Sequence, residues 1–582
     1  MYLAQLNPTV GDLKGNYNII ASHIDEAKRN CSDLAVFPEL SITGYPPEDL
    51  LAKDSFISEN IDCLNKLKEL TSNIIVIAGF ASRGKQGIYN SAAVIYKNQI
   101  KSIYNKQFLP NYSVFDEERY FEKGLDSCVF KAGDSIFGLN ICEDIFHPEG
   151  PARIQSILGE AGLIINISAS PYYTGKIQER IKVLSDTAIS NRVNIAYLNM
   201  AGGQDELVFD GSSLIINGEG KVLVRAKSFA GDSIIYDLEI DKIKSLKDKY
   251  RNDIEKDKIK LLKDYTPPAL IDLRYGPDYE KKKILKYKNS GSRSGQIITS
   301  EEEILDALIM GTGDYVRKNR FEKVIVALSG GVDSALTAVI ASFALGKENV
   351  NGLLMPSLYS SRGSIDDSIK LCNNLGIKYI TIPITEIYRS YLKNLNKIFT
   401  GPEINVTREN LQARIRGNIA MALANEKHWL VLSTGNKSEI SVGYCTLYGD
   451  MAGGFSPIKD VYKTMVYRIC KFINEKHHDI IPSNILSKVP SAELKPDQKD
   501  QDTLPPYNAL DPILKAYIED DLGFKSIVNK GFDENTVRKV INMVDSSEYK
   551  RRQGSPGIKI TSRAFGKDRR YPITNKFSLD LK

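Results

Sequence analysis

The chain has 582 residues, of which 42% are hydrophobic and 26% are charged, and its formal net charge at pH 7 is +5. A chain of this length forms at least two domains with sizeable cores, and its composition is that of an ordinary soluble globular protein. The mild basicity is weak evidence for nucleic-acid binding, because anionic small substrates would account for it as well.

The seven cysteines are scattered and show no C-x-x-C spacing. This pattern indicates neither a disulfide framework nor a zinc site, and it fits a reducing compartment. The first residues lack the pattern of a signal peptide, and no apolar run is long enough for a membrane span. We therefore expect a cytoplasmic protein with no membrane partner. The chain has only five histidines, so a Ser-His-Asp or histidine-ligated metal mechanism has few candidates.

The first half, from residue 1 to about residue 240, alternates short β-rich runs with amphipathic helical patterns, which predicts an α/β domain. Strands are predicted at 2–6, 33–37, 74–80, 92–96, 136–141, 163–167 and 194–198. Helices are predicted at 16–30, 56–70, 152–160 and 176–191.

Three reactive residues lie at or near the ends of strand-like runs: Glu39 in AVFPELSITGYPP, Lys106 in YNKQFLPNYS and Cys142 in GLNICEDIF. Together they make a nucleophilic site without histidine. The carboxylate accepts the thiol proton, the lysine stabilises thiolate and oxyanion, and the sulfur attacks a carbonyl. Each residue alone has an ordinary structural explanation, and we take His147 as structural because nothing indicates that EDIF folds it back onto Cys142.

The three strings resemble those of the nitrilase superfamily of carbon–nitrogen hydrolases. The resemblance implies an α-β-β-α sandwich in which Glu39 is the general base, Lys106 the oxyanion stabiliser and Cys142 the nucleophile. Glu117 matches the additional active-site glutamate of that superfamily.

Longer strings are more specific: LPNYSVFDEERYF, INISASPYYTGK and NMAGGQDELVFDGSS. They resemble the glutaminase half of the glutamine-dependent NAD⁺ synthetase family. The resemblance implies a glutamine site made of Tyr112, Phe115, Glu117, Glu143, Ser170 and Lys176. Lys176 stands where some relatives carry arginine, and either cation would pair with the α-carboxylate of glutamine.

Residues 241–296 are lysine-rich and polar and end in a Ser/Gly-rich run, which predicts a linker with some helix. The basic run is an alternative RNA-binding surface, although a solvated helical face explains it better.

The second domain, 297–582, repeats the α/β pattern. Strands are predicted at 324–328, 350–355, 379–382 and 430–433, and helices at 334–345, 364–375 and 408–427. This alternation predicts a doubly wound parallel sheet, which binds ligands beyond the carboxyl ends of its strands.

The first of these strands runs into Ser329, Gly330, Gly331, Val332, Asp333 and Ser334. Two glycines, flanking hydroxyls and a helix N-terminus predict a phosphate-binding turn. It is not a Walker A loop, because it carries an aspartate in place of the lysine. Asp333 beside phosphates indicates an intervening Mg²⁺. The string resembles the pyrophosphatase loop of enzymes that adenylate an acceptor with ATP.

Further residues extend this second site. Glu439, in LSTGNKSE, is predicted to share Mg²⁺ with Asp333. The strings around Thr434 and YGDMAGGFSPIKDVYK resemble NAD⁺ synthetase segments. That resemblance implies that Thr434 and Lys463 bind ATP, and that Asp450, with Arg414 and Arg416 of NLQARIRG, binds the dinucleotide.

Both halves match in order, so the resemblance implies an enzyme that binds glutamine, ATP and nicotinic acid adenine dinucleotide, without nucleic acid, as a homo-oligomer. Two alternatives remain open. A tRNA-modifying protein would bind RNA tightly and in a salt-sensitive manner, and an amidase with a catalytically silent second half would not turn over ATP.

Overall fold

A computed structural model describes residues 1–276, 299–399 and 405–577. The contacts divide the chain into two compact units. Unit 1 comprises Met1–Gln204 and Val208–Ile297, and unit 2 comprises Asp205–Leu207 and Ile298–Lys582.

Unit 1 is built from two sheets and their covering helices. Its strands are β1 (Tyr2–Gln5), β2 (Leu34–Val36), β3 (Ile75–Arg83), β4 (Ile88–Tyr96), β5 (Gln99–Asn105), β6 (Cys128–Ala132), β7 (Ser135–Ile141), β8 (Leu163–Ser168), β9 (Asn194–Asn199), β10 (Ala201–Gln204), β11 (Leu207–Asp210), β12 (Leu214–Ile216), β13 (Val222–Arg225), β14 (Asp232–Ile235) and β15 (Ala269–Asp272). Its described helices are α1 (Leu13–Arg29), α2 (Asp54–Lys68), α3 (Pro151–Arg153, continued by a π-turn at Ile154–Leu158), α4 (Lys176–Asn191), α5 (Ile240–Lys249) and α6 (Arg251–Leu261).

The two large sheets pack face to face. One has the order β14-β1-β2-β3-β4-β5 and the other β13-β12-β9-β8-β7-β6-β15. Their facing side chains form one apolar core, in which Val36 and Ile77 of the first sheet join Leu139 and Ile165 of the second. Leu184 of α4 packs with strand residues in a separate apolar cluster. This architecture confirms the α-β-β-α sandwich.

Part of the segment predicted as a linker is regular structure within unit 1. α5 and α6 lie in it, and β15 pairs in parallel with β6, with Ala269 opposite Cys128. The strand is short and its side chains are mostly exposed, so its sequence carries little apolar patterning. Residues 277–296 of that segment lie outside the described residues.

Unit 2 has a four-stranded sheet of β16 (Val324–Ala327), β17 (Val350–Leu354), β18 (Lys378–Thr381) and β19 (Leu430–Leu432). Its described helices are α7 (Ser300–Lys318), α8 (Val332–Leu345), α9 (Arg362–Leu375), α10 (Thr385–Leu395), α11 (Val406–Lys427), α12 (Lys437–Val442), α13 (Lys463–His477), α14 (Ser483–Ser487), α15 (Tyr507–Ile518), α16 (Phe524–Val528), α17 (Glu534–Ser546) and α18 (Glu548–Arg551).

The strands of this sheet run in the order β18-β17-β16-β19 and all pair in parallel. Their carboxyl ends therefore meet at one edge, and the turns that follow β16, β17 and β19 line a common pocket. This confirms the predicted parallel-sheet architecture and places the Ser329 turn at its ligand-binding edge. Among the described residues, no helix combines the length and apolarity that crossing a membrane requires.

Two candidate active sites

The three predicted catalytic residues of unit 1 lie just after the ends of strands. Glu39 follows β2, Lys106 follows β5 directly, and Cys142 follows β7 directly. Cys142 opens a 3₁₀ turn, Cys142–Phe146, with a backbone φ of 44°. A non-glycine residue in this left-handed region is held there by its surroundings, and such strain is common where a nucleophile is presented.

Lys106 is the centre of a buried ionic network. Its Nζ donates to Glu39 Oε1 at 2.8 Å and to Glu117 Oε1 at 2.9 Å, and all three side chains are almost completely buried. The structure thus joins Glu39 to Lys106, 67 residues further along the chain, and adds Glu117 to the pair. Two carboxyl groups therefore share one ammonium.

Further partners fix the carboxylates of this network. Asn90 Nδ2 donates to Glu39 Oε1 at 2.7 Å, and the backbone N–H of Ala169 donates to Glu39 Oε2 at 2.7 Å. The Tyr45 hydroxyl donates to Glu117 Oε1 at 2.9 Å. None of these three donors is predicted from the sequence. Asn90 and Tyr45 carry no motif signal by themselves, although Asn90 is polar within an apolar strand.

Burial shapes the protonation of the site. It raises the pKa of the Cys142 thiol well above its ordinary value, and the charge of Glu39 raises it further while Lys106 opposes this. Burial lowers the pKa of Lys106, but Glu117 and Glu39 outweigh it and keep the pKa well above normal. Burial also raises the pKa of Glu117 to about 7, against the opposing effect of Lys106. The resting site therefore holds a neutral thiol beside a charged lysine.

The residues predicted to bind glutamine form two groups around this network. The Tyr112 hydroxyl donates to Glu143 Oε2 at 3.0 Å, and the Tyr112 and Phe115 rings meet edge to face at 5.6 Å. Lys176 Nζ lies over the Tyr173 ring at 4.9 Å, and burial lowers the pKa of Lys176. Glu143 and Lys176 offer opposite charges.

Two further side chains adjoin these groups. Ser170 is buried, its N–H donates to Asn199 Oδ1 at 2.8 Å, and its hydroxyl lies 3.5 Å from Arg180 Nη2. His147 stacks on Phe108 with a ring separation of 3.7 Å. This stacking gives the His147 ring a packing role.

The second candidate site surrounds the turn after β16. Gly330 has a φ of 76°, and a Cβ there would lie 2.6 Å from the backbone oxygen of Ser364. The Ser334 hydroxyl donates to the Gly331 carbonyl at 2.9 Å and lies 3.3 Å from the Ser329 hydroxyl. The close approach of two backbones requires glycine here. Val332 begins α8, so the free N–H groups of the helix point at the turn.

A lysine links the two carboxylates predicted to bind metal. Lys463 Nζ donates to Asp333 Oδ2 at 2.5 Å and to Glu439 Oε1 at 3.0 Å, and Asn436 Nδ2 donates to Asp333 Oδ1 at 3.0 Å. Burial raises the pKa of Glu439 to about 7, although Lys463 lowers it. For Lys463 the nearby Asp333 and Glu439 outweigh burial and raise its pKa. Lys463 therefore holds the carboxylates of Asp333 and Glu439 close together.

A pocket within unit 2 contains most of the remaining predicted residues. Its lining includes Ser329–Ser334, Thr434, Arg416, Asp450 and Lys463. Arg416 Nε donates to the Met355 carbonyl at 3.1 Å, and burial lowers the pKa of Arg416 to about 10. Burial raises the pKa of Asp450 to about 6, and its Oδ1 accepts from the N–H of Thr446 at 2.6 Å.

Arg414 differs from its neighbour. It is not among the residues that line this pocket in the described chain, and its Nε donates to the Leu447 carbonyl at 3.1 Å from an exposed position. Two residues along α11 turn a side chain by about 200°, so Arg414 and Arg416 point to different sides. Conversely, Asp500 lines the pocket and accepts from the Tyr507 hydroxyl at 2.9 Å, and neither residue is assigned a role from the sequence.

Comparison with known proteins assigns both halves. Residues 3–248 match the carbon-nitrogen hydrolase family model and residues 304–554 match the NAD synthase family model. Curated relatives named glutamine-dependent NAD(+) synthetase include that of Thermotoga maritima, 48% identical over 100% of this chain and 99% of the relative. That of Aquifex aeolicus is 45% identical over 99% of both chains.

A solved structure gives the same assignment. The glutamine-dependent NAD(+) synthetase of Acinetobacter baumannii, in complex with adenosine diphosphate, is 38% identical. The match has a TM-score of 0.73 and covers 100% of this chain and 99% of that one. These relatives are well above 30% identical and align with nearly the whole chain, including both candidate sites. The chain therefore belongs to the glutamine-dependent NAD(+) synthetase family.

Proposed function

We propose that this chain hydrolyses glutamine in unit 1 and uses the ammonia in unit 2 to convert nicotinic acid adenine dinucleotide to NAD⁺ at the expense of ATP. The observation that carries this proposal is that the chain contains two sites, each with a lysine between two carboxylates. Lys106 lies between Glu39 and Glu117 in unit 1, and Lys463 lies between Asp333 and Glu439 beside the Gly330 turn in unit 2.

The glutaminase reaction begins from the neutral thiol of Cys142. Glu39 accepts the thiol proton as the sulfur attacks the side-chain carbonyl of glutamine, and Lys106 stabilises the oxyanion. Ammonia leaves with a proton returned from Glu39, and a thioester remains on Cys142. Water, deprotonated by Glu39, then hydrolyses the thioester to glutamate. A neutral resting thiol makes the carboxylate base necessary rather than optional.

In this proposal the protein recognises glutamine through the charges of its α-ammonium and α-carboxylate groups. We assign the α-ammonium to Glu143, which Tyr112 holds through a 3.0 Å hydrogen bond. We assign the α-carboxylate to Lys176, with Phe115 and Ser170 completing the binding surface. Because both charged partners are partly desolvated, an amide that lacks either charge leaves one of them unpaired.

The synthetase reaction uses ATP to activate a poor acceptor. The turn from Ser329 to Ser334, with Thr434 and Lys463, binds the ATP phosphates. A carboxylate oxygen of the substrate attacks the α-phosphorus and pyrophosphate leaves. Ammonia that passes internally from unit 1 then attacks the acyl carbon, AMP leaves, and the amide of NAD⁺ is formed. Keeping ammonia from bulk water prevents its protonation.

Asp450 and Arg416 are our candidates for the dinucleotide, because both line the pocket. We retain Arg414 as a phosphate-binding candidate only in a conformation that releases the Leu447 carbonyl.

Mg²⁺ fits the chemistry of the residues present. Asp333 and Glu439 both place a carboxylate oxygen within 3.0 Å of one ammonium nitrogen, so their oxygens converge on a single cation position. Mg²⁺ is commonly held by one or two carboxylates together with substrate phosphates. When bound it would neutralise phosphate charge, and Asp333 and Glu439 would hold it.

We further propose that the protein acts on small molecules alone, in the cytoplasm, as a homo-oligomer, and without nucleic-acid or membrane partners.

The test is NAD⁺ formation from nicotinic acid adenine dinucleotide and Mg-ATP with glutamine, with ammonium, or with neither. Product with both donors supports the two-site enzyme. Product with ammonium alone would remove the roles assigned to Glu39, Lys106 and Cys142. If neither donor gives product, the substrate assignment is wrong.

A further inference from the structure

Asp144 lies two residues after Cys142, and its side chain is completely buried. Its carboxylate accepts four hydrogen bonds. Oδ1 accepts from the N–H groups of Gln107 at 3.0 Å and Phe108 at 2.9 Å, and Oδ2 accepts from the N–H of Ile141 at 3.0 Å and the hydroxyl of Tyr104 at 2.8 Å. All four donors are neutral groups.

The donors come from the two segments that carry the catalytic groups. Gln107 and Phe108 directly follow Lys106, and Ile141 directly precedes Cys142. One carboxylate therefore joins the backbone beneath the lysine to the backbone beneath the nucleophile. These segments are about 36 residues apart along the chain, and apolar packing alone would not fix their relative position to a fraction of an ångström.

Holding a carboxylate here costs free energy. Burial raises the pKa of Asp144 to about 6, although the backbone bonds from Phe108 and Ile141 lower it. A position that needed only to fill the core would take an apolar side chain, because a buried carboxylate remains costly even though the charge of Lys106 helps to lower its pKa. The strained φ of 44° at Cys142 adds a second cost next to it. The buried carboxylate and the strained backbone both lie where the segment that carries Lys106 meets the segment that carries Cys142.

We propose that Asp144 is a positioning residue for the glutaminase reaction. It keeps the Cys142 sulfur directed at the carbonyl carbon of glutamine while the Lys106 ammonium is directed at the carbonyl oxygen of the same group. Asp144 touches neither substrate nor reacting atoms and acts through the two backbone segments. The inference rests on the proposed function.

The experiment compares four full-length proteins: the wild type, Asp144→Asn, Tyr104→Phe and the control Asp134→Asn. Asparagine keeps the shape of Asp144 but turns an NH₂ group toward two donors. Tyr104→Phe removes one of the four donors and leaves the carboxylate in place. Asp134 lies in the β6–β7 hairpin of the same unit, and its side chain is 81% exposed. Ammonium-driven NAD⁺ synthesis reports whether the protein is otherwise intact.

For Asp144→Asn we expect the kcat of glutamine-driven synthesis to fall about 100-fold, as for a displacement of about 1 Å, with the KM for glutamine little changed. Alkylation of Cys142 by iodoacetamide, followed by peptide mass spectrometry, should slow in the same variant. Tyr104→Phe should lower kcat about tenfold, as expected for one lost hydrogen bond. Ammonium-driven synthesis should be unchanged in every variant, and Asp134→Asn should match the wild type.

Other outcomes decide against the inference. A folded Asp144→Asn variant with wild-type kcat, or one that only raises KM, would overturn it, as would unchanged Cys142 alkylation. If Asp144→Asn does not fold, Tyr104→Phe decides, and an unchanged kcat there overturns the proposal. A wild-type protein that uses ammonium but not glutamine would instead reject the proposed glutaminase function.

Discussion

Replacing Glu117 by glutamine is expected to make unit 1 gain stability relative to the wild type as the pH rises from 5 to 8, although it removes an active-site carboxylate. Glu117 Oε1 accepts from Lys106 Nζ at 2.9 Å and from the Tyr45 hydroxyl at 2.9 Å. A glutamine amide oxygen would accept both bonds, but the amide NH₂ would replace Glu117 Oε2, which lies 2.9 Å from Lys106 Nζ. Lys106 keeps its 2.8 Å ion pair with Glu39. The substitution therefore removes a buried charge and places two new N–H donors beside an ammonium, a cost that does not change between pH 5 and pH 8.

The size of the effect follows from the pKa of Glu117, which burial raises from 4.5 to about 7. Because the pKa in the folded state lies above that of the unfolded chain, the ionised carboxylate disfavours folding above about pH 7. This cost disappears as the pH falls toward 4.5, where the folded protein has already taken up the proton. At about 1.4 kcal/mol per pKa unit, the cost at pH 8 is about 3 kcal/mol. Relative to the wild type, Glu117→Gln should therefore be about 2–3 kcal/mol more stable at pH 8 than at pH 5.

Hydrogen exchange followed by mass spectrometry measures this in unit 1 alone. The single tryptophan, Trp429, lies in unit 2 and does not report on unit 1. The protection of peptides covering β7 and β8 in Glu117→Gln, divided by that in the wild type, should rise by roughly 30- to 150-fold from pH 5 to pH 8. Unit 2 peptides serve as the internal reference. Glu118→Gln is the matched control, because Glu118 is adjacent, partly exposed and paired with Lys123 at 3.0 Å.

Two results would refute this reasoning. A protection ratio that is the same at pH 5 and pH 8 would mean that the ionised Glu117 carries no cost. A ratio that falls from pH 5 to pH 8 would mean that the ionised carboxylate stabilises unit 1 through its pairing with Lys106. Glutamine-driven synthesis should fall in the variant whichever result is obtained, because Lys106 loses one of its two counter-charges.

Three further substitutions test the separate parts of the proposal. Cys142→Ala should abolish NAD⁺ synthesis from glutamine and spare synthesis from ammonium, and loss of both activities would contradict separate sites. Gly330→Ala introduces a Cβ at 2.6 Å from a backbone oxygen at a φ of 76°, so about 1–3 kcal/mol of strain should reduce synthesis with either donor and raise the KM for ATP. The Cβ of Gly331→Ala would meet only a hydroxyl at 3.3 Å, so this variant should lose less activity. Equal losses in the two variants would mean that strain at Gly330 is not the cause. Asn436→Ala removes the bond to Asp333 and the cap of α12, and we expect a loss of about 1–2 kcal/mol in urea unfolding followed by Trp429 fluorescence. Unchanged unfolding would show that Asn436 does not support this site.

The sequence by itself determined the features whose chemistry is written in a short run of residues. The Ser329 to Ser334 string predicted a turn between a strand and a helix, because glycines and hydroxyls at that spacing have few other uses. The strings around Glu39, Lys106 and Cys142 predicted a second centre, and the structure places Glu39 and Lys106 in one buried ion pair. The alternation of apolar runs also predicted two α/β halves, since strand and helix periodicity is a local property.

Tertiary structure alone decided the contacts between segments that are distant in sequence. β15 joins the edge of a sheet through pairing with β6, although its own side chains are mostly exposed. Arg414 and Arg416 share one motif, and only the orientation of α11 separates the one that lines the pocket from the one that does not. Asn90 lies in none of the strings that were singled out, and Asp144 and Asn436 lie inside those singled out for Cys142 and Glu439, but no local signal assigns a role to any of the three. Their hydrogen bonds span 51, 37 and 103 residues respectively, and a partner at such a separation is set by how the strands and helices pack, which no local pattern records.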